Sequence, residues 1–113
     1  MIRRTVTADH EASYADPISV RQGDALHLTG EDFNWDGHLW LWAVNSSGKG
    51  GWIPDTLVKH TTDGCFAAKD YSAMELSCAK GQVLESFETT HGWAWCRSQD
   101  GNEGWVPLKN LSC

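Results

Sequence analysis

The feature that most constrains this chain is a tryptophan-rich unit that occurs twice. Residues 40–54 read Trp-Leu-Trp-Ala-Val-Asn-Ser-Ser-Gly-Lys-Gly-Gly-Trp-Ile-Pro, and residues 93–107 read Trp-Ala-Trp-Cys-Arg-Ser-Gln-Asp-Gly-Asn-Glu-Gly-Trp-Val-Pro. Trp40/Trp93, Trp42/Trp95, Gly48/Gly101, Gly51/Gly104, Trp52/Trp105 and Pro54/Pro107 align without a gap at a spacing of 53 residues. Six of the seven tryptophans lie on this unit, so it supplies the core hairpin of whatever fold the chain adopts twice. An apolar strand, a Gly-containing turn and a second apolar strand make that hairpin.

A chain of 113 residues would otherwise be expected to form one domain. Duplication divides it into two copies of about 50 residues, near the lower limit for independent folding. Each copy then depends on a few large apolar groups, and tryptophan supplies the most area per residue. The expected boundaries are 1–59 and 60–113. The linker Lys59 to Gly64 reaches at most about 20 Å, so the copies are expected to touch or nearly touch.

Net charge is −6. Residues 1–60 carry eight acids and five bases, and residues 61–113 carry seven acids and four bases, so each half contributes −3. Neither half has a basic stripe, which argues against nucleic acid or an anionic membrane as partner, while a basic peptide suits the charge. No apolar run approaches the roughly 20 residues of a membrane span. Met-Ile-Arg-Arg-Thr-Val has no hydrophobic stretch after it, so no signal peptide is expected and the expected compartment is cytoplasmic.

All four cysteines, Cys65, Cys78, Cys96 and Cys113, fall in the second copy, where the first has Arg4, Val20, Ala43 and His60. A disulfide framework is therefore unnecessary to the fold. Cys78 and Cys96 read as small buried apolar residues, and a reducing compartment argues against a Cys65–Cys113 disulfide. His38 and His91 are equivalent loop-end positions, each offering one ligand where zinc takes three or four. No metal and no cofactor are expected.

In chain order, Thr5–His10 reads as a first strand and 11–17 as a long polar loop. Strands follow at Ile18–Val20 and Ala25–Thr29, then a second, acidic loop, 30–37, holding Phe33 and Trp35. Trp40–Val44 and Gly50–Ile53 form the hairpin, Pro54-Asp-Thr a helical turn, and Leu57–Val58 a last short strand. Phe66–Tyr71, Glu75–Cys78, Val83–Phe87, Trp93–Arg97, Gly104–Val106 and Asn110–Leu111 repeat the series. Asp9 to Gly23 is 14 residues against 11 for Asp70 to Gly81, and Gly23 to Trp40 is 17 against 12 for Gly81 to Trp93. The first copy therefore has the longer first and second loops. The expected fold is all-β, two small five-stranded barrels.

Ala67-Ala-Lys-Asp-Tyr71, Glu75-Leu-Ser-Cys-Ala-Lys-Gly-Gln82, Gly92-Trp-Ala-Trp-Cys96 and Gly104-Trp-Val-Pro-Leu-Lys-Asn110 resemble the successive motifs of the SH3 (Src-homology 3) family. Val6–His10, Asp16–Asp24, Trp40–Ala43 and Gly51–Leu57 resemble them a second time. The likeness is to the variant form common in bacterial proteins. It implies two SH3-like barrels in tandem and a non-catalytic protein- or peptide-binding role. In relatives that bind Pro-x-x-P peptides, a groove is lined by two tyrosines, a Trp, a Pro and a final Tyr. Carried over by position, the liners are Ala8, His10, Trp40, Pro54 and Leu57 in the first copy. In the second they are Lys69, Tyr71, Trp93, Pro107 and Asn110.

The resemblance places a specificity pocket between the two loops, and in the first copy these hold Glu11, Tyr14, Asp16, Glu31, Asp32, Phe33, Trp35 and Asp36. Carboxylates beside aromatics suit an Arg or Lys side chain. The expected ligand site is therefore Trp40 as platform with Pro54, His10, Tyr14, Asp16, Trp35 and Asp36. Trp93, Pro107 and Tyr71 form its lesser counterpart. The competing readings are a structural role, with the aromatic faces used in inter-copy or homodimer packing, and cell-wall peptide or glycan binding. A monomer or weak homodimer is expected. No nucleophile elbow, phosphate loop or metalloprotease helix is present, so no enzyme is expected.

Overall fold

The structure, a computed structural model, describes residues 2–12, 17–35 and 37–112. In chain order its strands are β1 (Ile2–Thr5), β2 (Ser19–Val20), β3 (Ala25–Trp35), β4 (His38–Val44), β5 (Gly50–Pro54), β6 (Val58–Thr61), β7 (Gly64–Ala67), β8 (Tyr71–Ser72), β9 (Val83–Thr90), β10 (Trp93–Arg97) and β11 (Glu103–Pro107). Single 3-10 turns, Asp55–Leu57 and Leu108–Asn110, follow β5 and β11. The all-β expectation is met. The hydrogen-bonded sheets are open, in the orders β1-β9-β10-β11, β5-β4-β3-β7-β6 and β2-β8, rather than closed rings of five.

The two compact units do not coincide with the two sequence copies. Unit 1 consists of Met1–Ala15 with Met74–Cys113, and unit 2 of Asp16–Ala73. The first strand of each copy completes the other copy's sheet. β1 pairs with β9 of the second copy, Arg4 opposite Leu84. β7, which begins the second copy, pairs with β3 and β6 of the first.

The physical cause is the junction between the copies. Thr61 pairs with Gly64, so only Thr62 and Asp63 separate β6 from β7, and Gly64 takes φ +133 there. A turn this short folds a strand back on its predecessor. The second copy's first strand is thereby consumed by the first copy, with Val58 opposite Ala67. The first copy's own first strand takes the equivalent place in unit 1, where Val6 bridges Leu111. The boundary expected at 59/60 falls inside the β6–β7 hairpin. In chain order, unit 2 is a circularly permuted copy lying between the two segments of unit 1.

Each unit has its own core. In unit 1, Val6, Leu76, Cys78, Leu84, Ala94, Cys96, Val106 and Leu111 form one buried cluster. In unit 2, Ile18, Val20, Leu26, Ala43, Ile53, Leu57 and Ala67 are buried. Strand alternation explains the selection. Ala94 and Cys96 point inward from β10 while Trp93 and Trp95 point outward, and Ala43 and Trp42 divide likewise on β4. Gly51 and Gly104 let the strand after the first loop pass close by. A Cβ on Gly104 would lie 2.6 Å from the Glu75 carbonyl carbon, and one on Gly51 would lie 2.6 Å from Ile18 Cγ2.

Residues 30–37 are not an open loop, as far as they are described. β3 continues to Trp35, which pairs with His38, and Phe33 pairs with Trp40. The register shifts between Leu28 and Asp32, where Gly30 has φ +91, and the strand resumes beyond this bulge. The extra residues of the first copy thus lengthen a hairpin. Asn110, expected on a strand, lies in the second 3-10 turn, and Leu111 forms only a bridge.

Candidate functional site

In unit 1 the outer face of β10 and β11 carries Trp93 opposite Pro107 and Trp95 opposite Trp105. Trp95 and Trp105 meet edge to face, with centroids 5.2 Å apart, and the Trp95 indole N–H donates to Glu103 Oε1 at 2.9 Å. Trp105 is buried. These two rings cover the sheet, and Trp93 and Trp105 differ in that Trp93 remains half-buried at the end of the row.

His10 stands beside Trp93. Its backbone exchanges two hydrogen bonds with Cys78, at 2.9 and 2.8 Å. The neighbouring Asp9 is fixed as well: its carboxylate accepts the Lys80 amide at 2.7 Å, and its carbonyl accepts from the Asn110 side chain at 3.1 Å. The His10 ring meets Trp93 edge-on, centroids 5.5 Å apart. Its Nε2 lies 2.9 Å from Glu75 Oε1, and the two side chains are 14 % and 16 % exposed. Glu75 is positioned by the strand crossing at Gly104: Trp105 N–H donates to the Met74 carbonyl at 2.9 Å, and Leu76 N–H to Trp105 O at 3.0 Å. Trp93, His10, Glu75, Pro107 and Asn110 therefore converge, and combine an aromatic face, a buried proline and a carboxylate.

Unit 2 repeats the frame with different contents. Trp40 pairs with Pro54 and Trp42 with Trp52. Tyr71, opposite Val20, occupies the place that His10 takes opposite Cys78. Trp40 and Tyr71 are each only 8 % exposed. Trp52 is flanked by Trp42 at 5.2 Å and by Phe33 at 5.7 Å. A Cβ on Gly50 would lie 2.7 Å from the Trp42 ring, so that indole lies against the strand where Glu103 holds Trp95 in unit 1.

The strand exchange reassigns the expected liners. His10, expected with Trp40 and Pro54, meets Trp93 instead; Tyr71, expected with Trp93 and Pro107, belongs to the unit of Trp40 and Pro54. Trp40, expected as an exposed platform, is buried. Trp35 is half-buried on the β3 extension, and Phe33 is 46 % exposed. Tyr14, Asp16 and Asp36 lie outside the described residues. Glu75 is the site residue that sequence reasoning missed. Its signal was the Glu-Leu-Ser-Cys motif itself, where Pro17 stands in the other copy.

The variant SH3 domain pattern matches residues 5–60 and again 65–113. The chain belongs to the variant SH3 family. Both matches follow the sequence copies, and the structure shows the SH3 units assembled across them. Domains of this family are generally protein-interaction modules and typically non-catalytic. Searches of curated proteins and of solved structures returned no match.

The cysteines divide by environment. Cys78 and Cys96 are buried and free. Burial, with a smaller contribution from the neighbouring Cys78, pushes the Cys96 thiol up to about 11. Burial likewise raises that of Cys78. Cys65 is free and half-buried, its Sγ 3.4 Å from His60 Nδ1 across the β6–β7 pair; Cys113 lies outside the described residues. Among the described residues no three His, Cys, Asp or Glu side chains converge as a metal site would require.

Proposed function

We propose that the chain is a peptide-binding module whose ligand groove is in unit 1, with Trp93 as platform, Pro107 beneath it, His10 as side wall and Glu75 as the acceptor of a basic side chain. One observation carries this reading: the His10 ring sits edge-on to Trp93 while hydrogen-bonding Glu75 at 2.9 Å. A proline ring packs on an indole face, and an adjoining carboxylate in a partly desolvated wall favours Arg or Lys. The net charge of −6 assists encounter with a cationic peptide.

Unit 2 supports a structural role on this reading. The burial of Trp40 and Tyr71 withdraws the equivalent rings, and Pro17 replaces the carboxylate. Titration of labelled protein with basic proline-containing peptides tests the assignment. The Trp93 indole resonance is expected to shift while that of Trp40 stays, and Trp93→Ala is expected to abolish the response. A response centred on Trp40, or none at either indole, would sink it.

A further inference from the structure

His10 and Glu75 lie on the two segments of unit 1 between which unit 2 is inserted in the chain. Glu75 is the carboxylate that the proposed groove needs for a cationic ligand group, yet His10 Nε2 already holds it at 2.9 Å. The charged and titratable groups on the elements around the ring are few. Its own segment carries Asp9 and Glu11 beside it with Arg3 and Arg4 farther back on β1, the returning segment Glu75, Cys78 and Lys80, the turn before Trp93 His91, and the 3-10 turn Lys109. Asp9 is turned toward the Lys80 amide. β10 presents Trp93, and its charged residue Arg97 lies farther along the strand over Phe87, 4.8 Å from that ring's centroid. Among the described residues, Glu75 is thus the charged group in contact with the His10 ring.

We propose that His10 is an internal competitor for Glu75, and that proton uptake by its imidazole closes the groove of unit 1 to cationic ligands. This rests on the reading of that groove given above. When the ring is neutral, Nε2–H donates a hydrogen bond and the pair carries the single negative charge of Glu75, which attracts an Arg or Lys side chain. When the ring is protonated, the same contact becomes an ion pair of zero net charge. The incoming cation then has to displace a like charge about one side chain away. The direction follows: affinity for a cationic peptide falls as the imidazole takes up its proton on acidification. A like-charge contact at about 4 Å, even with the dielectric constant of water, lowers affinity about fivefold.

The test uses the full chain and two peptides capped at both ends. One contains proline and a single arginine; its twin carries neutral citrulline in place of the arginine. Both are titrated at about pH 5.5 and pH 7.5 against wild type, His10→Phe and His10→Gln. Wild type is expected to bind the arginine peptide about fivefold more tightly at the higher pH. The citrulline peptide is expected to show no such dependence, and either His10 variant is expected to remove it, so loss of folding in one leaves the other to decide. Arginine-peptide binding that is equal at the two pH values, or pH dependence that survives in a folded His10 variant, overturns the competition while leaving the groove intact. Failure of both peptides to bind wild type at either pH overturns the groove and the competition together.

Discussion

Unit 1 and unit 2 contain equivalent strands, and the chain visits them in different orders. In unit 1 the sheet begins with β1 and ends beyond β11 at Leu111, which returns to Val6. In unit 2 the equivalent first strand, β7, comes last, directly after β6. The same core positions are buried in both: Val20 and Cys78, Ala43 and Cys96, Ile53 and Val106. This fold is specified by which strands pair, and the position of the chain break is secondary. A two-residue connection decides the partner, because closing a tight turn costs little entropy and leaves no reach for any other strand.

The broadest expected effect separates these two orders. A fragment of residues 17–73 keeps β7 and β8, whereas one of residues 1–59 keeps only the first copy's own opening strand. Closing unit 2 with that strand would set Arg4 where Cys65 lies opposite Leu26, and His10 where Tyr71 is buried. Losing the buried aromatic ring is costly, and the half-buried place of Cys65 takes a guanidinium as its equivalent opposite Leu84 does in unit 1. Residues 17–73 should therefore unfold cooperatively in denaturant, with a stability about 2 kcal/mol above that of 1–59. Equal stabilities would mean that the exchange is incidental to the fold.

The next contrast is between the two outer tryptophans. Trp40 is 8 % exposed and Trp93 is half-buried. Trp40→Ala should lower the stability of unit 2 by about 3 to 4 kcal/mol, as large aromatic truncations in cores do, with peptide affinity unchanged. Trp93→Ala should cost about 1 kcal/mol, mainly its edge-on contact with His10, and reduce affinity more than about tenfold. Chemical denaturation and peptide titration on both variants measure the cross-over. If both lose stability and neither loses binding, the functional distinction between the units disappears.

The equivalent glycines sharpen the structural side. At Gly104 a new Cβ meets backbone of Glu75 and Leu76 at 2.6 Å, whereas at Gly51 it meets the Ile18 side chain. A side chain can shift where a crossing strand cannot. Gly104→Ala is expected to cost about 3 kcal/mol and Gly51→Ala about half as much. The Gly104 change should also disturb Glu75, so peptide affinity ought to fall with it. A reversed order in denaturation midpoints would place the tighter crossing in unit 2.

How much of this was legible in the sequence differs between frame and site. The repeated hairpin, the inward alternation of Ala43 and Ala94, and the burial of Cys78 and Cys96 follow from spacing and equivalence. These are local properties of single strands. The strand exchange was not legible, because pairing of β6 with β7 and of β6 with a strand fifty residues earlier satisfy the same apolar pattern. That one ambiguity moved His10 from Trp40 to Trp93 and Tyr71 the other way, so the expected groove mixed liners of two units. The β3 extension was hidden for a different reason. Its acidic composition reads as solvated loop, although Phe33 and Trp35 lie two apart, the spacing at which a strand returns to one face.

The narrowest contrast is one of pH and comes from a single substitution between the copies. Where unit 2 has Ala43, unit 1 has Cys96, fully buried, with its thiol pushed up to about 11. An unfolded cysteine ionises near its ordinary value of about 8.5. The folded state therefore holds the proton over a range in which the unfolded state releases it. The resulting stability is fully present below about pH 8.5 and is lost as pH rises toward 11, on the order of 3 kcal/mol in all. Unit 2 has no such group at the matching position, so its stability should stay level where that of unit 1 declines. Denaturation between pH 8 and pH 11, followed at Trp93 and at Trp40 separately, reads the two units side by side. Cys96→Ala should make their pH profiles more nearly parallel, leaving the smaller contribution of Cys78. A decline of equal size at Trp40 would show instead that alkaline sensitivity belongs to both units and owes nothing to the buried thiol.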